Sequence, residues 1–286
     1  MMLNVTIGIP ANNEERNIGK LLEILCKEKF SFDLSKIIVV ASGCTDRTED
    51  IVKRFVKRNN KIKLISEKVR RGKASAVNLI LREAKSDIIV FVCADNLPKV
   101  GSINKLVKKF SNKEVGAAFG RPVPLESKGN LFGYLSHLIW KLHHFHCLEN
   151  PKISGELCAV RNGIIPMLPN NIINDDGYFT AIMRKKRKEI IYVPAAVTYM
   201  TGRNGFFAYI KRRRRIARGF MQLTENNLNV SIPLRNTFRL VIKEIHKDPK
   251  NSPRIFFAMG LEIIINLLAY YDSFRGYNPY CWDRET

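Results

Sequence analysis

Short β-branched runs alternate with helix-period segments through the first ninety residues, and this alternation most constrains the fold. Val5–Pro10, Lys36–Ala41, Lys61–Ser66 and Asp87–Val92 are apolar runs of strand length. Between them, Asn17–Lys29 places Ile18, Leu21, Leu22 and Leu25 on one helical face, Asp46–Asn59 does the same with Ile51, Val52, Phe55 and Val56, and Ala74–Ala84 reads as a third helix. A β-α-β-α-β-α-β order requires crossover connections, so the expected fold is α/β, a Rossmann-like, mostly parallel sheet flanked by helices. Ligands on such sheets sit beyond the carboxyl ends of the strands. The search for chemistry therefore begins at the strand-to-helix turns.

The first turn is Pro10-Ala11-Asn12-Asn13-Glu14-Glu15. Pro10 stiffens it, and the acids favour a helix N-terminus. The second, Ser42-Gly43-Cys44-Thr45-Asp46-Arg47-Thr48, has a glycine for the bend and Thr45 or Asp46 to cap the next helix. The third, Arg70-Arg71-Gly72-Lys73, brings three cations to a helix start, which suits phosphate, although the P-loop spacing is absent. The fourth strand ends in Cys93-Ala94-Asp95, where a carboxylate facing the ligand side is a natural Mg²⁺ or Mn²⁺ ligand or else a turn cap. Further along come the acidic pair Asp175-Asp176, the strand Ile190–Tyr199 with Tyr192-Val193-Pro194, and the basic run Arg212–Arg215. That order suggests a metal-bound phosphate site, a general base and a cationic clamp.

Between these landmarks, Val115–Pro124 reads as a strand, and Leu131–Cys147 as a helix carrying His137, His143, His144 and His146. The histidines invite a metal, against the plainer reading of an amphipathic helix. From Thr201 the strand pattern stops. Residues 201–286 hold 15 Lys and Arg against 7 Asp and Glu and look helical. Phe206, Phe207, Tyr209, Ile210, Phe220 and Met221 flank the basic run, as in a helix lying at a membrane interface; a solvated basic helix is the alternative. The apolar stretch Ile255–Tyr271, interrupted by Glu262 and Asn266, is shorter than the ~20 residues of a membrane span, so a packed or membrane-lying helix is expected.

Of the 286 residues 45% are hydrophobic, enough for a full core, and the formal charge of +22 attracts polyanions such as phosphorylated ligands, anionic lipid or nucleic acid. No zinc finger or RNA-binding aromatic motif accompanies that charge, so nucleic acid is not expected. Six cysteines without a Cys-x-x-Cys pair read as reduced core thiols in a cytoplasmic protein, and the immediate strand pattern leaves no expected signal peptide.

Taken together, the turns and the acidic pair resemble those of the family 2 glycosyltransferases, over about residues 3–220. Pro10–Glu15 is similar to that family's Pro-Ala-Tyr-Asn-Glu-Glu opening, Ser42–Thr48 to its Asp-Gly-Ser-Thr-Asp-Gly-Thr turn, and Gly72-Lys73 to its Gly-Lys turn. Ala94-Asp95 matches the end of its Asp-x-Asp metal motif, Asp175-Asp176 its catalytic acidic pair, and Arg212–Gly219 the region of its Gln-x-x-Arg-Trp motif. The chain departs by placing Asn12 for the Tyr, Ser42 for the base-reading acid, Cys93 for the first metal acid, and Arg212 and Ile216 for the Gln and Trp.

The resemblance implies a GT-A fold over 1–200; the basic, amphipathic composition of 201–286 suggests a helical C-terminal region that associates with a membrane. The resemblance also implies an inverting hexosyltransferase that uses a UDP- or GDP-sugar donor. Pro10, Ala11, Asn13, Glu14, Ser42, Gly72, Lys73, Ala94 and Asp95 would bind that donor, with Mg²⁺ or Mn²⁺ on Asp95. Asp176 would act as base beside Asp175, and Arg212, Arg214 and Arg215 would hold acceptor or phosphate. Loss of the Gln and Trp favours transfer of a single sugar, and the basic tail a lipid or lipid-linked acceptor at the inner face of the cell membrane. The competing readings are a catalytically degenerate binding protein of the same fold, a sugar-nucleotide pyrophosphorylase, and a basic polyanion-binding protein.

Overall fold

The computed structural model describes residues 2–201, 205–228, 230 and 234–281. Eight strands form a single sheet: β1 (Asn4–Ala11), β2 (Asp33–Ser42), β3 (Ile62–Glu67), β4 (Ile88–Val92), β5 (Asn96–Pro98), β6 (Val115–Pro124), β7 (Leu157–Arg161) and β8 (Glu189–Met200), in the order β3-β2-β1-β4-β7-β6-β8-β5. The pairings β1–β2, β1–β4, β2–β3 and β6–β8 are parallel; β4–β7, β6–β7 and β5–β8 are antiparallel. The first half is thus the parallel sheet that its crossovers demand. Beyond β4 the sheet is mixed, because β7 runs back beside β4.

Alternate residues of a strand face opposite sides, and both sides are apolar here. Val5, Ile7 and Ile9 of β1 and Val90 and Val92 of β4 join a core with α1 (Ile18–Lys27), α2 (Thr48–Arg58) and α4 (Ser102–Val107). Ile89 and Phe91 of β4 and Phe119 of β6 join a second core with α3 (Lys73–Glu83) and α6 (Asp175–Lys185), reaching Cys147 of α5 (Leu131–Glu149). After Met200 the described chain is helical: α7 (Phe206–Glu225), α8 (Leu234–Lys247) and α9 (Ser252–Phe274). These build a third core against α5 from Leu135, Leu138, Tyr209, Val241, Ile255 and Ile265.

Helix α9 differs from expectation in length. It has 23 residues, and its segment is long and apolar enough by composition to cross a membrane. Ile255, Ala258, Leu261, Ile265 and Ala269 are nevertheless buried. Glu262 accepts two hydrogen bonds from Arg213 of α7, each 2.8 Å, and Asp272 pairs with Arg214. Crossing a bilayer would require stripping α9 from these partners.

Candidate active site

The four turns read from the sequence lie together at the carboxyl ends of β1–β4. Asn12 donates to the Ser42 carbonyl at 2.7 Å, and the Arg71 N–H donates to the Ser42 hydroxyl at 3.4 Å, which ties the first three turns together. Asn13, at φ +53°, accepts from the Thr45 N–H at 2.8 Å, and the Glu14 N–H donates to the Thr48 hydroxyl at 2.7 Å. Glu14 is buried and accepts from Asn17 at 3.0 Å. Asn17 in turn accepts from Thr201, whose hydroxyl also donates to the Asp95 carbonyl at 2.6 Å. Asn13 and Glu14 thus brace the first turn and link it to Asp95, and Ala11 and Ala94 are buried core positions beneath it.

The acidic pair opens α6. Asn174 caps that helix by accepting from the Gly177 N–H at 3.3 Å, and the helix N-terminus attracts negative charge. Asp175 forms an ion pair with Lys73 at 2.9 Å, joining the third turn to α6. Asp176 accepts from the Gly155 N–H at 3.1 Å and the Gly177 N–H at 2.7 Å, which fixes its carboxylate plane. Pro10, Lys73, Gly155, Asp175 and Asp176 line one small cavity. Burial opposes the charge on Lys73, but the acidic groups around it, Asp175 foremost and Asp176 with it, together hold the amine well above the usual lysine range. Burial raises the Asp95 carboxyl above its ordinary value, against the opposing pull of Lys73 and Arg212.

Helix α7 divides its basic run by helical geometry. Arg212 and Arg215 are three apart on one face. Arg212 acts electrostatically on Asp95, and Arg215 on Asp175 and Asp176. Burial lowers Arg215, and those two carboxylates oppose it. Arg213 and Arg214 point the other way, to Glu262 and Asp272 of α9. Arg214, expected at a phosphate, is therefore turned toward the helical region. Two of the three expected arginines lie within electrostatic range of the carboxylates.

The histidines of α5 do not make a metal centre: among the described residues no group of three or more His, Cys, Asp and Glu side chains is arranged to hold an ion. His143 is pushed down to about 3 by burial, His144 bonds the Tyr192 hydroxyl at 2.8 Å, and His137 bonds the Glu126 carbonyl at 2.9 Å. The six cysteines are unpaired. Cys93 donates its thiol to the Gly155 carbonyl at 3.0 Å, and burial pushes its pKa far above the usual thiol value. Asp95 is then the carboxylate at this strand end. Mg²⁺ and Mn²⁺ bind to one or two carboxylates plus substrate phosphates, so the donor set fits a metal that arrives with a diphosphate.

Sequence reasoning missed Gly155, Glu156 and Lys152. Gly155 and Glu156 precede β7, and the Glu156 carbonyl accepts from the Asn96 side chain at 3.1 Å. Burial and then Asp176 raise the Glu156 carboxyl; burial lowers Lys152, whose amine sits 4.1 Å from the centre of the Phe220 ring. A glycine before a short apolar run was the one available signal.

Known proteins resemble this chain in sequence and in fold. Residues 6–191 match the model of glycosyl transferase family 2. A probable glycosyltransferase of Bacillus subtilis, YdaM, is 28% identical over 229 residues, 75% of this chain and 54% of that protein. The beta-monoglucosyldiacylglycerol synthase of a Nostoc species is 28% identical over 130 residues, 45% of this chain and 28% of that one. The chain thus spans about half or less of these relatives. Among solved structures, the mannosyltransferase PcManGT of Pyrobaculum calidifontis, in complex with GDP-Man and Mn²⁺, superposes with a TM-score of 0.66 at 22% identity, covering 98% of this chain and 82% of that one. That likeness establishes the GT-A fold, and with the family match over most of its length the chain belongs to glycosyl transferase family 2.

Proposed function

We propose that this chain transfers a single sugar, with inversion, from a UDP- or GDP-sugar to a membrane lipid or lipid-linked sugar. The observation that carries the reading is the meeting of Asp95, Lys73, Asp175, Asp176, Arg212 and Arg215 at the carboxyl ends of the parallel strands. Lys73 and Arg212 sit where a leaving diphosphate needs positive charge. Asp175 orients Lys73. Asp176, held by two backbone N–H groups, accepts the proton of the acceptor hydroxyl as its oxygen bonds the anomeric carbon and the bond to the diphosphate breaks. Mg²⁺ or Mn²⁺ held by Asp95 would neutralise diphosphate charge when bound.

The lipid acceptor draws on three supports: the basic composition, the diacylglycerol-directed Nostoc relative, and the outward face of α9. Phe256, Phe257, Ile263, Ile264, Leu267, Tyr270, Tyr271 and Phe274 are exposed there, and no charged residue is. Such a patch on a basic protein suits the anionic cytoplasmic leaflet. In this reading residues 1–200 are the transferase domain and 201–286 the membrane-facing region, with α7 lending Arg212 and Arg215 to the site.

Asp176→Asn is expected to lower transfer turnover by 10²-fold or more with donor affinity intact; full turnover would remove the assigned base. A second reading, a binding protein that has lost catalysis, is favoured by Cys93 and Ser42, which stand where the family carries acids. Metal-dependent donor binding without any turnover in wild-type protein on a panel of lipid acceptors would select it.

A further inference from the structure

We infer that the C-terminal segment Tyr277–Cys281 completes the donor site, and that the cavity beside Tyr280 receives the nucleobase of the nucleoside diphosphate. The inference rests on the donor reading above.

The first two turns carry no aromatic side chain: Asn12, Asn13, Ser42 and Cys44 stand there. A flat surface comes from the other end of the chain. The Tyr277 N–H donates to the Asp272 carbonyl at 2.8 Å, and the Tyr277 carbonyl accepts from Arg218 at 3.2 Å. Asn278 donates to the Asn171 carbonyl at 3.0 Å, and the Cys281 thiol lies 3.6 Å from the Arg70 carbonyl, across 211 residues of sequence. The first contact ties the segment to the end of α9, and the other three pin it against α7, the loop before α6 and the third turn.

Tyr280 lands on Gly72. A Cβ at Gly72 would lie 3.0 Å from the Tyr280 carbonyl oxygen and 3.2 Å from ring atom Cδ2, and φ there is +84°. Only glycine combines that backbone conformation with so close a neighbour. Tyr280, 38% exposed, walls a cavity of about 350 Å³ with Glu67, Arg70, Arg71, Ser75, Asn78 and Arg82. This volume falls in the range of small-molecule sites, and its walls join an aromatic ring and guanidinium planes, on which a flat base stacks, to the Glu67 carboxylate, which accepts from a base N–H.

The other side of the same turn carries Lys73, ion-paired to Asp175. Arg70 and Lys73 are at most ~11 Å apart along the chain, so one nucleoside diphosphate spans the turn. Its phosphates lie by Lys73 and its base against Tyr280. Tyr280 is then a binding and positioning residue for the donor, with no part in the bond-making step.

The test is calorimetric binding of UDP, GDP, ADP and pyrophosphate, each with Mn²⁺, to the full chain and to Tyr280→Ala and Tyr280→Phe, with melting temperatures in parallel. Stacking on an aromatic ring is worth ~1–3 kcal/mol per base. Tyr280→Ala is therefore expected to lose about tenfold or more of the affinity for the preferred nucleoside diphosphate, to keep its pyrophosphate affinity, and to raise donor KM more than it lowers kcat. Tyr280→Phe should retain affinity within about twofold, since the ring remains. Unchanged nucleoside diphosphate affinity in Tyr280→Ala overturns the inference alone. So does an equal fall for pyrophosphate and nucleotide, which would mark the tyrosine as a brace of the turn. Wild-type protein that binds none of the nucleotides overturns both this inference and the donor reading.

Discussion

At the scale of single residues, the site is a set of charges that hold one another. Lys73 and Asp175 are a partly buried pair, and losing one partner leaves the other without its hydrogen bond. Lys73→Met is expected to cost about 2 kcal/mol of stability, measurable by urea denaturation, and to raise donor KM. The double variant Lys73→Met with Asp175→Leu should recover part of the stability and none of the affinity. Asp95→Asn is expected to abolish the Mn²⁺-dependent rise in melting temperature with GDP or UDP; an undiminished rise would relocate the metal. Candidate positions were legible where a residue type in its turn already limits the chemistry, as for Asp95 and Lys73. They were not legible for Gly155, whose N–H fixes Asp176 from a loop 21 residues away.

At the scale of elements, the distance between the carboxylates of α6 and the arginines of α7 is set by two glycines. A Cβ at Gly219 would stand 2.8 Å from the Asn174 Cβ, and one at Gly177 would stand 2.5 Å from Leu223 Cδ1. Gly219→Leu is expected to push α7 away from the α6 cap, reducing turnover by about tenfold or more while cutting stability by ~1–3 kcal/mol. Steady-state kinetics and thermal denaturation on one preparation check both. The long periodic elements were read nearly to their ends: Val115–Pro124 is β6 as expected, and α1 to α3 fall within a few residues of their predicted bounds. The short ones were not. β5 has three residues and β7 five, and each forms because its neighbours in the sheet, β8 for β5 and β4 and β6 for β7, offer it hydrogen-bonding partners.

At the scale of the whole molecule, a chain of net charge +22 presents an uncharged apolar face on α9. Binding to vesicles containing about one-third anionic lipid is expected to weaken as salt rises. Ile263→Glu with Leu267→Glu should abolish it in flotation assays. Both positions are exposed, so the melting temperature should hold nearly constant. Unaltered flotation of the double variant would leave charge alone as the attachment, and no flotation of wild type would remove the membrane from the reading.

By itself the sequence determined the parallel half of the sheet and the identity of its turn residues, because hydrophobic period and turn chemistry are local properties. Only the tertiary structure decided which arginines face the carboxylates, how α9 divides between packing and exposure, and that residues 277–281 return to the third turn. Those are contacts between segments far apart in the chain, set by how the helices pack and by which partner each buried charge finds. No local pattern records them.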